Sequence, residues 1–230
     1  MDDFLRPTVV KLQVVLISVD YRLAPEFPFP TGLNDSYAAL KWALENAAVL
    51  KIYPSKGVLV GGASSGANFA GAIALRARDD HFFKQPGFSV TGQVLRVPSV
   101  VHPGADIPEE YKKELLSMEQ NKDVPILNKS DILQIIEYYQ APPNDPDISI
   151  LLAPSHSGLP PAFFQIAGYD TLRDEGILYE KVLKESGVQT KIEIYPGVPH
   201  GGPSPFPHLP AATKCANDFD KGLEWLLHDS

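Results

Sequence analysis

Gly57-Val58-Leu59-Val60-Gly61-Gly62-Ala63-Ser64-Ser65-Gly66-Ala67-Asn68-Phe69-Ala70 is the stretch around which the chain is organised. It opens as a short apolar run of the kind that makes a buried strand. It then passes through Gly62-x-Ser64-x-Gly66 and continues into Ala67 to Arg78, an alanine-rich segment that suits a helix. A serine at such a strand–turn–helix junction sits in strained backbone with its hydroxyl pushed out above the sheet. The residues two before and two after it crowd each other, so both must be small, and Gly62 and Gly66 meet that demand. The pattern alone is weak, because a tight turn with a surface serine is written with the same letters.

Outward from this stretch the chain alternates strands and helices. Val14-Val15-Leu16-Ile17-Ser18-Val19 is continuous, apolar and β-branched, and reads as a strand buried on both faces. Asn34 or Asp35 is placed to cap a helix with Tyr37, Leu40 and Leu44 on one face and Trp42 beside them. A further strand is expected within Thr91 to Val101. Residues 103–150 are more polar, with helical stretches near Glu109–Glu119 and Ser130–Tyr139, and read as a small helical cap inserted over one end of the sheet. Ala162 to Gly168 is a strand, Leu172 to Ser186 a helix closed by Gly187, and Lys191 to Tyr195 the last strand. A loop, Pro196 to Gly202, follows. The final helix carries Ala212, Ala216, Phe219, Leu223 and Leu226 on one face. Strand–helix alternation predicts an α/β fold with a mostly parallel sheet flanked by helices, in a single domain spanning 1–230.

Composition sets the class. At 230 residues, with 44% hydrophobic and 21% charged residues, the chain has the make-up of a globular protein with a sizeable core. The net charge of −8 argues against a nucleic-acid or anionic-membrane partner. One cysteine, Cys215, leaves no intrachain disulfide, and no His/Cys cluster has metal-ligand spacing. The acidic start, Met1 to Pro7, lacks the apolar core of a signal peptide, and no run approaches membrane-spanning length, so a cytoplasmic location is expected. Many of the 22 prolines fall in loops such as Pro203 to Pro210.

Three chemistry-bearing residues stand just beyond strand ends: Ser64, Asp170 and His200, where open α/β sheets place their sites. A serine hydroxyl needs a base within hydrogen-bond reach, and histidine, with a pKa near neutrality, suits that work. The imidazole in turn needs a carboxylate to fix its tautomer and stabilise its charged form. His81, His102, His156, His208 and His228 read as ordinary loop histidines. Asp174 competes with Asp170 for the carboxylate role. Thr171-x-x-Asp174 resembles a capping box, which gives Asp174 a structural task and leaves Asp170 the preferred acid.

Four motifs, Tyr21-Arg22-Leu23-Ala24-Pro25-Glu26, Gly62-x-Ser64-x-Gly66-x-Asn68, Asp170-Thr171-Leu172-Arg173-Asp174-Glu175-Gly176 and Tyr195-Pro196-Gly197-Val198-Pro199-His200-Gly201, resemble in order and spacing the hormone-sensitive-lipase-like branch of the α/β-hydrolase fold. The resemblance runs from about Val14 to the C-terminus. It implies a carboxylic-ester hydrolase acting on short or medium acyl esters without a cofactor. Ser64 is then the nucleophile, Asp170 the acid, His200 the base and the Ser65 N–H one oxyanion donor. Such proteins carry an H-G-G-G segment upstream of the Tyr21–Glu26 motif, whose glycine N–H groups complete the oxyanion hole. Met1 to Asp20 holds none, and His200-Gly201-Gly202 belongs to the histidine loop. The expectation is therefore a fold whose first N-terminal strands are missing, with an exposed sheet edge open to homo-oligomer formation. Its activity is expected to be weak, or replaced by a ligand-binding role.

Overall fold

The computed structural model describes residues 2–202 and 208–228; the expected loop at Pro203 to Pro210 therefore lies mostly outside the described residues. The apolar runs around Ser64 and after it pair as β1 (Leu59–Ala63), β2 (Gly92–Arg96), β3 (Ala162–Tyr169) and β4 (Thr190–Pro199). All neighbours are parallel and the spatial order follows the chain, β1-β2-β3-β4. The helices are α1 (Asp2–Leu12), α2 (Thr31–Glu45), α3 (Ala47–Leu50), α4 (Ser65–Asp79), α5 (Glu109–Lys112), α6 (Ser117–Gln120), α7 (Lys129–Tyr139), α8 (Arg173–Glu185) and α9 (Pro210–His228). Helices α4 and α8 link parallel neighbours, as a parallel ladder requires.

The central strands are buried on both faces, and their side chains alternate between two cores. Leu95 and Phe164 point into one cluster with Ala70, Ile73, Leu178 and Leu183 from α4 and α8. Val94 and Phe163 point the other way, into a cluster with Phe219 and Leu226 of α9. The buried stripe of α9 is Cys215, Phe219, Gly222 and Leu226, spaced as one helical face. Helix α1, which the sequence reading left without structure, is tied to α9: the Thr8 hydroxyl donates to Asp220 at 2.6 Å and Lys11 bonds the same carboxylate at 3.0 Å.

The expected strand at Val14–Val19 does not form. The segment is irregular and belongs to no sheet, with Val15 55% and Leu16 45% exposed. Apolar, β-branched composition favours extended backbone, but a strand exists only where a neighbour takes its N–H and C=O groups. Among the described residues β1 pairs only with β2, and this run has no strand partner. Residues beyond it are held firmly. Tyr21 packs edge-on against Phe69 of α4, and the Arg22 guanidinium makes two bonds to Asp35, 2.9 and 2.7 Å long. Arg22 pulls the Asp35 carboxyl down to about 2. Asp35 is thus an ion-pair partner within α2, not the cap expected there, and α2 begins four residues earlier, at Thr31.

Helix α9 approaches the sheet so closely that a Cβ on Gly222 would lie 2.2 Å from the Phe163 ring. Phe163 is buried between strands and cannot step aside. Gly222→Ala is therefore expected to destabilise the chain by about 1–3 kcal/mol, the usual range for overpacking. Urea unfolding measures this directly. An unchanged midpoint would mean that α9 stands farther from the sheet.

Candidate active site

Each of the three candidate residues follows the last residue of a strand. β1 ends at Ala63, β3 at Tyr169 and β4 at Pro199. The register pairs Tyr169 with Pro199, so the next residues, Asp170 and His200, leave the sheet side by side. β4 runs further than the sequence reading expected, through Pro196 to Pro199. It is an edge strand, where a proline without an N–H is tolerated.

Ser64 has φ 58° and ψ −120°, a backbone conformation unfavourable for any residue with a side chain. It is held there from both sides. Its N–H donates to the Arg96 carbonyl of β2 at 2.9 Å, and its carbonyl accepts from Ala67 and Asn68 in the first turn of α4. The turn is tight because Gly62 lies on Gly66: a Cβ at Gly62 would stand 2.3 Å from the Gly66 carbonyl carbon. The demand for small residues proves one-sided, since a Cβ on Gly66 would meet nothing within 4 Å. Ser65 is the first residue of α4, so its N–H has no acceptor within the helix and is free to serve a ligand.

The three side chains form one row. The Ser64 hydroxyl lies 2.9 Å from His200 Nε2, and His200 Nδ1 lies 2.8 Å from Asp170 Oδ2. A carboxylate only accepts, so Nδ1 carries the proton and Nε2 offers its lone pair to the serine. His200 and Asp170 are buried, Asp170 to 1% exposure. The second oxygen of Asp170, Oδ1, accepts from the Leu172 N–H at 3.0 Å. Among the described residues no group of three His, Cys, Asp or Glu side chains is arranged to hold a metal ion.

Asp174 does not face the imidazole, and it does not form the expected capping box either. Its Oδ2 accepts from the N–H groups of Leu116 and Ser117 at the start of α6, and its Oδ1 from Arg173. Thr171 donates to the Leu127 carbonyl instead of capping α8. His102 and His156 lie in loops, as expected, and both are buried there. His156 bonds the Ile150 carbonyl and stands edge-on to Tyr179, and His102 accepts from Gly104; burial lowers both pKa values.

Glu175 is a buried group that the sequence reading missed. It lies within the Asp170–Gly176 motif, and nothing local in the sequence marks it as buried. Its Oε2 accepts from the Val100 and Val101 N–H groups at 2.8 and 3.2 Å, pinning the loop after β2. Burial, helped by the nearby Asp170 charge, raises its pKa to about 8 against the two N–H bonds, which lower it.

Comparison with known proteins gives a match between residues 1–203 and the model of the family described as alpha/beta hydrolase fold. Among curated relatives, AB hydrolase superfamily protein B1A11.02 of Schizosaccharomyces pombe is 38% identical over 98% of this chain and 66% of its own length. Carboxylesterase NlhH of Mycobacterium tuberculosis is 36% identical over 99% of this chain and 68% of its own. Among solved structures, that of vibralactone cyclase is 44% identical with a TM-score of 0.94, covering 98% of this chain and 66% of that one. The chain thus spans about two thirds of the length of the curated relatives it matches.

Two outcomes follow from this geometry. Gly62→Ala is expected to destabilise the chain by about 1–3 kcal/mol or more through backbone overlap. Gly66→Ala is expected to stay within about 1 kcal/mol of the parent, alanine being the better helix former. Equal melting temperatures for the two variants would contradict the one-sided contact. The second outcome concerns Glu175. A carboxyl that holds its proton to about pH 8 in the folded chain, against 4.5 ordinarily, makes that chain bind more protons than the unfolded one between those values. Stability therefore falls as pH rises through this window, by up to roughly 1.4 kcal/mol per pH unit, and levels off above it. Glu175→Gln keeps an oxygen acceptor for both N–H groups and is expected to flatten that slope. Urea titrations across the window test this, and an unaltered slope would assign the effect to another group.

Proposed function

The chain belongs to the α/β-hydrolase fold family, and from that premise we propose that it is built for carboxylic-ester hydrolysis, with Ser64 as nucleophile, His200 as base and Asp170 as the acid that orients it. The observation that carries this reading is the unbroken row from Ser64 Oγ through both ring nitrogens of His200 to Asp170, at 2.9 and 2.8 Å. The names of relatives such as the mycobacterial carboxylesterase support the same reaction class.

The chemistry follows from the row. Ser64 Oγ attacks the ester carbonyl carbon while its proton passes to His200 Nε2. Asp170 stabilises the imidazolium and keeps its Nδ1–H pointed inward. The carbonyl oxygen becomes an oxyanion, for which the Ser65 N–H is a fixed donor. His200 returns the proton to the leaving alkoxide, which departs as the alcohol. Water then enters with His200 again as base, and the carboxylic acid is released from Ser64. Residues 103–150, carrying α5 to α7, serve as the cap over this end of the sheet in this reading. Short or medium acyl esters are the substrates proposed. The free thiol of Cys215 fits a cytoplasmic setting, and the outer edge of β1 is the place for pairing with a second copy.

Ser65 supplies one oxyanion donor, and removal of one such donor typically costs about 10²- to 10³-fold in rate. Weak turnover by these 230 residues is therefore expected. Purified chain should hydrolyse a short p-nitrophenyl ester with kcat/KM below about 10⁴ M⁻¹s⁻¹, the low end of ordinary enzymes. Ser64→Ala should abolish that turnover, and Asp170→Asn should lower it by orders of magnitude. Turnover that survives Ser64→Ala would overturn Ser64 as the nucleophile, and folded chain with no turnover at all would favour a ligand-binding role in place of catalysis.

A further inference from the structure

The cap reaches further than the roof of a pocket. The turn between β3 and α8 contains Asp170 and is gripped from outside by residues 116–127. The Ser117 hydroxyl donates to the Thr171 carbonyl at 2.7 Å, and the Thr171 hydroxyl donates to the Leu127 carbonyl at 3.2 Å. Asp174 binds the N–H groups of Leu116 and Ser117. One contact touches the acid residue itself: Asn121 Nδ2 donates to the main-chain carbonyl of Asp170 at 2.8 Å. Asn121 is buried, at the C-terminal boundary of α6, 49 positions upstream of Asp170.

We propose that Asn121 is a positioning residue for the reaction, setting the rotation of the Asp170 peptide so that Oδ2 meets His200 Nδ1. This rests on the ester-hydrolase reading above. Two points of the carboxylate's surroundings make the main chain decisive. Oδ1 is held by the Leu172 N–H, two residues along the same turn, so the carboxylate moves with the backbone that carries it. Oδ2 has a 2.8 Å contact with a buried imidazole, whose strength depends on the direction in which the carboxylate is presented. Among the described residues the Asp170 carbonyl is otherwise bonded by the Arg173 N–H at 3.3 Å, a weaker contact from inside the turn. Asn121 is therefore the outside anchor of the acid's own peptide. Burial makes the bond matter, because without it the carbonyl is left to the weaker Arg173 contact and the peptide loses its outside anchor.

Asn121→Asp keeps the shape and removes the donor; Asn121→Ala removes the side chain. Both are compared with the parent in two measurements. The first is the slowly exchanging downfield proton resonance of His200 Nδ1–H, which reports its bond to Asp170 whether or not the chain turns over ester. The second is the reaction of Ser64 with diethyl p-nitrophenyl phosphate, in which Oγ bonds phosphorus, p-nitrophenolate leaves and the serine proton passes to His200. The inference expects the resonance to broaden or vanish in both variants. It also expects the limiting rate of phosphorylation to fall about 10-fold or more, a loss of one well-made hydrogen bond's order, at an unchanged half-saturating probe concentration. Resonance and limiting rate that match the parent in folded Asn121→Asp would overturn it. So would unfolding of both variants, which would make the bond a support of the fold. A parent chain that does not react at Ser64 counts against the ester-hydrolase reading alone, because the resonance still decides the role of Asn121.

Discussion

A single left-handed residue sets the rest of this structure. Ser64 can hold φ 58° only because its neighbours leave the chain no alternative. Its N–H is fixed to β2, its carbonyl starts α4, and Gly62 has no side chain to keep Gly66 away. The turn lifts the hydroxyl out of the sheet plane and starts a helix immediately behind it. That helix brings an N–H with no intrahelical partner, at Ser65, to the same place. The proposed nucleophile and the proposed oxyanion donor are thus products of one backbone constraint.

The opposite side of the site rests on strand register. Tyr169 pairs with Pro199, and the residues that follow them meet as carboxylate and imidazole. A slip of β4 by one residue against β3 would send the side chain after it to the other face, away from its partner. The register shift already present near Ala167–Tyr169 lies where the strands leave the sheet. Buried carboxyls are divided there by environment. Asp170 faces the His200 imidazole, whereas Glu175 is buried with two N–H donors on one oxygen, and burial pushes its pKa up to about 8.

Much of this was legible in the letters because it is local. Ser64 is bracketed by glycines at a junction where strand, turn and helix follow in that order, and Asp170 and His200 each follow an apolar run. The helix Leu172–Ser186 was readable with its closing glycine, Gly187, and forms at Arg173–Glu185. What was not legible is what depends on partners distant in the chain. Val14–Val19 has strand composition but no strand beside it. Asp174 looked like a cap and instead binds the start of α6. Asn34 and Asp35, read as caps, have arginine partners, Arg76 and Arg22. Asn121 sits in an unremarkable polar stretch, and its bond to Asp170 spans 49 positions that no local pattern encodes.

The central claim is that Ser64, activated through His200, is the atom that takes an acyl group. Rapid acid quench of the chain with p-nitrophenyl acetate, followed by peptide mass spectrometry, tests it most directly. The geometry predicts one acetyl group on the peptide containing Ser64, absent when His200 is replaced by alanine. Acetylation confined to lysines, or a Ser64 adduct of equal extent in the His200→Ala chain, would contradict it.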